Sequence, residues 1–491
     1  MSSFRLDTPF LCPKSLLLAM LALFLRRAGM RVVYLGQSIE MDGIAAHNSI
    51  PCSCTDLCHA HVWKQPFLAE KNRIGSEKQS VLFLITALFS YREYVILTRK
   101  IFVFFGSVWR TFVKITCKQQ DLSRGLSIVS HGVSNRSTLP ILANILLATD
   151  HGRLKLSATN LEIGINCWVD AQIHEEGTTT VPAKLLTDFV NSLPQAPVDI
   201  SVPEDTHKVS IKGEGITANI KGMDSSEFPL IPSAEGGEPP VILDAALLKE
   251  MIAQVALAAS EDESRPVFTG VLVQVGNEKV TFAAADSFRL AVRTAPLPGD
   301  ETAHGDILVP ARTLHELARI LPSEGAVQMI VTPNRSQVLF HTEQIDLVSR
   351  LIDANFPNFR QIIPKEHSTR AVVETKAFAA RVKSAALFAR DSSNIARVKI
   401  AGGDNSGLEP GKITIEATAE DLGDNVGVLN AAVDGPEQQI IFNVKYLAEV
   451  LAVIDTPEVA IEVNSPTKPG VVKPVGPADY TYVIMPMHTN R

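Results

Sequence analysis

From residue 113 onward the apolar positions alternate between two periods, and the switch between them recurs. In "TTVPAKLLTDFVNSLP" (179–194) a short extended run gives way to apolar residues at i, i+3, i+4 and i+7. That change of period marks a strand leading into an amphipathic helix. The pattern returns in "ILVPARTLHELARILP" (307–322) and in "IIFNVKYLAEVLAVID" (440–455). Pro182 and Pro310 are 128 residues apart, and Asn443 takes the proline position 133 further on. A proline near a helix start costs no hydrogen bond, because the first helical N–H groups have no intrahelical acceptor.

Two further elements keep the same period. "GRLKLSATNLEIGINC" (152–167), "EKVTFAAADSFRLAVRT" (278–294) and "GKITIEATAEDLGDNVGVL" (411–429) each predict a strand, a turn of small Ala and Thr residues, and a second strand. Ala158, Ala284 and Ala417 are separated by 126 and 133 residues. An earlier helix is predicted in each copy, at 121–133, 246–259 and 377–389. Linkers fall at "PSAEGGEPP" (232–240) and near "PKEHSTR" (364–370). Matched elements at one period of about 130 residues imply three domains of a single fold. Each has about two helices and many short strands, α+β in class. The predicted domains are 113–236, 237–367 and 368–491, after a separate segment 1–112.

Charge and cysteine content set that first segment apart. The 491 residues carry a net charge of −7. Residues 1–111 hold 13 Lys and Arg against 7 Asp and Glu, while the remainder holds 33 against 46, a net −13. Cys12, Cys52, Cys54 and Cys58 lie in the first part, leaving only Cys117 and Cys167 in the rest. Two cysteines in some 380 residues make no disulfide framework and point to a reducing, cytoplasmic compartment. No apolar run there approaches the roughly 18 residues of a membrane span.

The N-terminal segment supports several readings. The apolar run Leu16 to Leu25 is followed by Arg26 and Arg27, the reverse of a secretory signal, so a helix leading through Gly29 into the strand "MRVVYLG" is favoured. About 25 residues there faintly resemble part of a cobalamin-binding domain of some bacterial regulators, without its cobalamin-ligating histidine motif. Cys52, Cys54, Cys58, His59 and His61 fall within ten residues, a spacing that suits zinc, but no second pair completes a tetrahedral site. Reduced cysteines in a loop are the simpler reading. Residues 81–109 are apolar yet interrupted by charge, and a span is not favoured. The segment reads as a poorly ordered extension or as sequence upstream of the true start, and both remain open.

Catalytic motifs are missing. "HELAR" (315–319) begins like a zinc-protease helix, but Arg319 occupies the place of the second histidine. "SGLEPGK" (406–412) lacks the first glycine of a phosphate loop, and Ile413 replaces its Ser or Thr. Glu162, Asp286 and Glu420 read as solvated or structural carboxylates. No enzyme activity and no cofactor are expected.

"RSTLPILANILL" (136–147), "TNLEIGI" (159–165), "DSFRLAV" (286–292), "NFPNFRQIIPK" (355–365), "FNVKYLAEVL" (442–451) and "YVIMPM" (482–487) together resemble the bacterial DNA polymerase III β subunit, the sliding clamp. The resemblance covers 113–491 in order. It implies a head-to-tail homodimeric ring of six similar domains, with helices lining the hole and sheets forming the rim. Its implied partners are double-stranded DNA, a second copy, the polymerase III alpha subunit, the clamp loader and other proteins with clamp-binding peptides, with no membrane. The alternative of another class is a metal- or cobalamin-responsive regulator acting through the N-terminal segment.

Site residues follow from the resemblance position by position. Arg136 and Arg265 match DNA-contacting positions, and Lys184, Arg124 and Asn191 belong to the same expected surface, although Asn191 stands where some relatives carry arginine. Pro266 and Val267 replace an aromatic pair. The peptide cleft is expected from Phe268, Ala285, Ser287, Phe288, Arg289, Leu290, Pro357, Ile362, Asn443, Tyr446, Val483, Met485, Pro486 and Met487. Phe288 and His488 are substitutions relative to the best-known members. Phe228, Leu387 and Phe388 are the expected dimer contacts. The terminal "TYVIMPM" aligns with the last strand of each domain, so Tyr482 to Ile484 should finish a sheet while Met485 to Met487 leave it to wall the cleft.

Overall fold

The computed structural model describes residues 113–134, 137–203, 208–232, 238–297, 304–390, 392–403, 410–419 and 423–487. The readings of residues 1–112, including the zinc and cobalamin candidates, lie outside the described residues.

Three successive stretches repeat one order of elements: strand, helix, four strands, helix, three strands, with the third inner strand of the first domain split into Ile163–Val169 and Ala171–Glu175. The first strands are Val113–Lys118, Val241–Asp244 and Thr369–Glu374. The helices that follow them are α1 (Gln119–Ser130), α3 (Ala245–Ala256) and α5 (Thr375–Ala389). The second helices are α2 (Ala183–Ser192), α4 (Ala311–Ile320) and α6 (Val444–Leu451). Pro182 and Pro310 are the N-cap residues of α2 and α4. Asn443 caps α6 differently, its side chain accepting from the Lys445 N–H at 3.0 Å. Each helix buries one apolar stripe, Leu186 and Val190 in α2 or Leu314 and Leu317 in α4, against a common core.

Two expectations shift slightly. Ala158, Ala284 and Ala417 lie inside strands rather than in turns, and all are buried. A helix packs over these strands, so a small side chain is what the close approach allows. The turns come just after, at 160–162 and 286–288. Thr369 and Arg370, expected in a linker, already pair with Val463 and Glu462. Thr369 is wholly buried, and its hydroxyl donates to the Pro436 carbonyl at 2.7 Å.

The sheets cross the domain boundaries. Within each domain the strands between the helices pair side by side, except that Ala171–Glu175 of the first domain pairs with Val113–Lys118 instead. The first strand and the last three form a second set, which Ala171–Glu175 joins in the first domain. The first domain's strand Ile163–Val169 pairs antiparallel with Ile345–Arg350, the last strand of the second domain. In the same way Arg289–Pro296 of the second domain pairs with Asp479–Ile484, the last strand of the third. An eight-stranded and a twelve-stranded sheet result. A five-stranded sheet in the first domain ends at Ile216–Lys221. Two strands that correspond to the junction partners keep a free side among the described residues: Ile216–Lys221, at the end of its sheet beside Lys208–Gly213, and the start of Gly423–Asp434, which meets Thr369–Glu374 only through 432–434.

Candidate functional site

The cleft at the second junction begins with a tight turn. Asp286 Oδ1 accepts from the backbone N–H groups of Phe288 and Arg289, both at 3.0 Å, while Ser287 takes a left-handed φ of 81°. The first domain repeats the device, with Asn160 Oδ1 accepting from Glu162 and Ile163 and with Leu161 at φ 74°. Asp and Asn favour this geometry because a short side-chain acceptor can bond its own backbone two and three residues on.

From that turn the strand carries Leu290 opposite Val483. Both face away from the main core, into a second apolar cluster with Leu272, Ala285, Leu308 and Phe359. Tyr482 and Ile484 point the other way and are wholly buried in the main core. The segment after Arg350 lies across this outer face, bringing Phe356 and Phe359 edge to face with centroids 6.4 Å apart. A cleft of about 280 Å³ remains between them. Phe268, Ala285, Ser287, Arg289, Leu290, Pro357, Ile362, Val483 and Met485 line it, as expected from the sequence. Phe356 and Phe359 also line it, and they were missed. The "FPNF" spacing was visible, but which faces of that segment turn inward depends on how it crosses the sheet.

The other expected cleft residues stand around this space. Phe288 is 58% exposed at the rim, and its carbonyl accepts from the Met485 N–H at 2.8 Å. Met487 N–H donates to the Ile441 carbonyl at 2.9 Å, so the tail turns from the second domain's strand toward the third domain's last strand before α6. Pro486 and Met487 are half-buried, and Asn443 is occupied as the α6 cap. The tail expectation thus describes the backbone: the strand ends at Ile484, and Met485 continues past it, 39% exposed.

Arg289 forms the polar wall. Its guanidinium binds Asp286 at 2.8 Å and the Glu449 carboxylate of α6, and it lies 4.3 Å from the Tyr446 ring centroid. Burial alone would lower its pKa, but Tyr482, Glu449 and Asp286 outweigh that and hold it above its ordinary value. Burial raises the Tyr446 phenol, helped by Asp286. Arg265, expected at DNA, also reaches this site. It donates to Ser287 Oγ at 3.1 Å and stacks on Phe268 at 5.4 Å.

At the first junction the corresponding space is filled. Gly164 stands where the second domain has Leu290, and Ile231 of the following segment fills the space, with a Cβ at Gly164 falling 2.8 Å from its side chain. Phe228, expected at the dimer contact, is 7% exposed here, buried against Ile141 and Leu142 of its own domain. It plays for the first linker the packing role that Phe356 plays for the second.

A second surface is polar and lies among the helices. An open groove of about 690 Å³ is lined by Ser123, Arg124 and Ser127 of α1, Asn191 of α2 and Arg319 of α4. Asn191 Oδ1 accepts from the Ser123 hydroxyl at 2.6 Å. The groove thus unites the expected Arg124 and Asn191 and adds Arg319. Lys184 is exposed on α2, and Arg136 lies outside the described residues. Across the six helices Arg124, Lys184, Arg312, Arg319, Lys376, Arg381, Lys383 and Lys445 are exposed, against the exposed carboxylates Asp188 and Glu250. Leu387 on α5 is 60% exposed, while Phe388 packs partly against its own core. Among the described residues no helix is long and apolar enough to cross a membrane, and no cluster of three metal-ligating side chains occurs.

Models of the DNA polymerase III beta subunit match three stretches: the N-terminal domain over residues 113–232, the central domain over 242–358 and the C-terminal domain over 360–488. The beta sliding clamp of Synechocystis sp. is 32% identical over 394 residues, covering 76% of this chain and 99% of that one. The chain belongs to the bacterial beta sliding clamp family. The Synechococcus elongatus clamp is 33% identical over 382 residues, again 76% of this chain and 99% of that clamp. Among solved structures, the Bacillus subtilis sliding clamp superposes with a TM-score of 0.71 at 27% identity, covering 77% of this chain and 99% of that one. A Pseudomonas aeruginosa clamp bound to griselimycin matches at a TM-score of 0.69 and 25% identity, over 77% of this chain and all of that one. The three-domain fold expected from the repeat is that of a sliding clamp.

Proposed function

We propose that this sliding clamp closes head to tail with a second copy into a ring around duplex DNA, and that its cleft captures a short apolar peptide of a clamp-binding protein. The observation that carries this reading is the way the domains join. Both internal junctions pair the strand after the Asx turn of one domain with the last strand of the next. The same two strand types keep a free side where no such partner follows or precedes them: Gly423–Asp434 of the third domain and Ile216–Lys221 of the first. Val426, Val428 and Ile216 on them are 56%, 48% and 41% exposed. A chain that ends in the complement of its own beginning makes a heterologous contact, and two such contacts close a dimer. The third junction uses the register of the other two, with Leu387 beside it and Phe228 and Phe388 supporting their own domains.

The inner face suits a sliding duplex. Exposed cations dominate the helices while the region as a whole is net −13. Such a face attracts phosphates without reading bases, and an acidic body discourages wrapping on the outside. Arg124, Arg319, Lys184, Asn191 and Arg136 contact the backbone of the duplex. Arg265 serves the cleft, where the replicative polymerase III alpha subunit, the clamp loader and other clamp-binding proteins dock in turn. The apolar floor takes peptide anchors while Arg289 and Ser287 fix orientation. Tethering requires no catalytic group of the clamp's own, and it operates in the cytoplasm.

Retention on DNA tests the topology. The loaded protein should stay on a nicked circle and fall off once the circle is linearised. Equal retention on both forms sinks the ring reading.

A further inference from the structure

Each internal junction carries a carboxylate at one repeat position of the second helix, bound to a basic side chain of the preceding domain. Glu316 of α4 meets His131 at the end of α1, Nδ1 to Oε2, at 2.6 Å. Glu449 of α6, 133 residues later, binds Arg289. The same position in α2, 128 residues before Glu316, is Asp188. Asp188 is exposed, and among the described residues it has no ion-pair partner. Its cation would have to come from the domain that precedes it around a ring, the third domain of a second copy.

The third domain offers one cation at the matching corner. The position of Arg289 at the start of its strand is there Gly423, which brings no charge. The position of His131, counted from the starts of α1 and α5, is Leu387. Helix α5 runs 15 residues against 12 for α1, and its cap residue is Arg390. Arg390 lies three residues beyond Leu387, one turn along the same face. The Ser392 hydroxyl donates to the Thr418 carbonyl at 2.7 Å, which seats this helix end at the hairpin leading to Gly423. Arg390 is exposed and, among the described residues, also without a partner. The other exposed cations of α5 lie further back: Arg381, for example, packs its stem over Gly427, within 3.2 Å of a Cβ placed there.

An apolar pair flanks the site. Leu185 occupies in α2 the repeat position of Thr313 and Tyr446. Thr313 is 2% exposed and Tyr446 stacks on Arg289, both at closed junctions, whereas Leu185 is 54% exposed. Leu387 is 60% exposed.

We propose that Asp188 of each protomer pairs with Arg390 of the partner subunit, with Leu185 packing beside Leu387 of the partner subunit, so that the ring's seams repeat the ion pairs of its internal junctions. This rests on the ring reading. Charges facing each other across a seam set register and discourage wrong pairing, and reversing one places like charges together.

The test is a double-mutant cycle on the dimer dissociation constant, measured by sedimentation over a dilution series. Asp188→Arg and Arg390→Asp should each raise the constant by about 10- to 100-fold, and the double swap should return it to within a few-fold of the wild type. Circular dichroism identifies a variant that fails to fold, in which case Asp188→Asn and Arg390→Gln complete the cycle. Single variants that dimerise like the wild type, or a swap that restores nothing, overturn the ion pair. A wild-type chain that stays monomeric at every concentration instead overturns the ring itself, so the two failures are distinct.

Discussion

The Arg289 guanidinium lies 4.3 Å from the centroid of the Tyr446 ring, across the boundary between the second and third domains. The same group binds Asp286 of its own turn and Glu449 of α6, and its side chain is only 10% exposed. One residue therefore ties the turn, the helix and the floor of the cleft together. Removing it leaves two carboxylates facing each other without their cation.

Arg289→Ala is expected to destabilise the second junction by about 3 kcal/mol, the scale of losing one partner of a buried ion pair. A thermal melt should show the loss, and titration with a labelled clamp-binding peptide should show weaker binding. Arg289→Lys keeps the charge but not the planar fork, so it should recover only part of each.

Deleting Met485 to Arg491 removes the rim beyond Ile484 and spares the buried Tyr482, Val483 and Ile484. Peptide binding should fall at least about tenfold, as for loss of a central apolar anchor. The dimer should be unchanged by sedimentation. A truncated chain that no longer folds would show that the tail is core rather than rim.

Arg124 and Arg319 share the helix groove. Reversing both to Glu should weaken DNA binding across all sequences alike. The slope of log K against log salt should shrink by roughly one to two, as expected for one or two lost phosphate contacts. A change confined to particular sequences would contradict a backbone contact.

Burial pushes the Cys117 thiol up to about 12 from an ordinary 9.0, with Asp121 and Asp199 adding to it, and pushes Cys167 up to about 11 against the opposing field of Arg124. A raised folded pKa means that the folded state holds the proton longer than the unfolded one. The associated stability is therefore complete below about pH 9 and is lost as pH rises toward 12. Between pH 9 and 11 the wild type should lose more stability to denaturant than Cys117→Ala does. Alkylation at pH 8, followed by peptide mapping, should modify both thiols only after unfolding.

Much of the fold was legible because repetition amplifies weak signals. The proline before α2 and α4, and Asn443 in its place before α6, mark one helix start three times over. The small residues Ala158, Ala284 and Ala417 were equally visible. Their reading as a turn failed because a small side chain signals close approach as readily as a tight bend, and here a packed helix is the cause. Most of the cleft was legible through the family resemblance, including Leu290 and Val483, but Phe356 and Phe359 were not. That Arg265 also meets Ser287 and Phe268 at the cleft was not legible either.

The sequence by itself determined the repeat, the domain count, the helix starts and the acidic body with basic helices, because periodicity, capping and charge act over short stretches of chain. Only the tertiary structure decided which strands meet across the boundaries, which edges stay open, and why one junction has a cleft. Those outcomes depend on contacts between residues far apart along the chain. Gly164 accepts Ile231 at one junction, whereas Leu290 and Val483 leave an opening at the other, and no local pattern distinguishes the two.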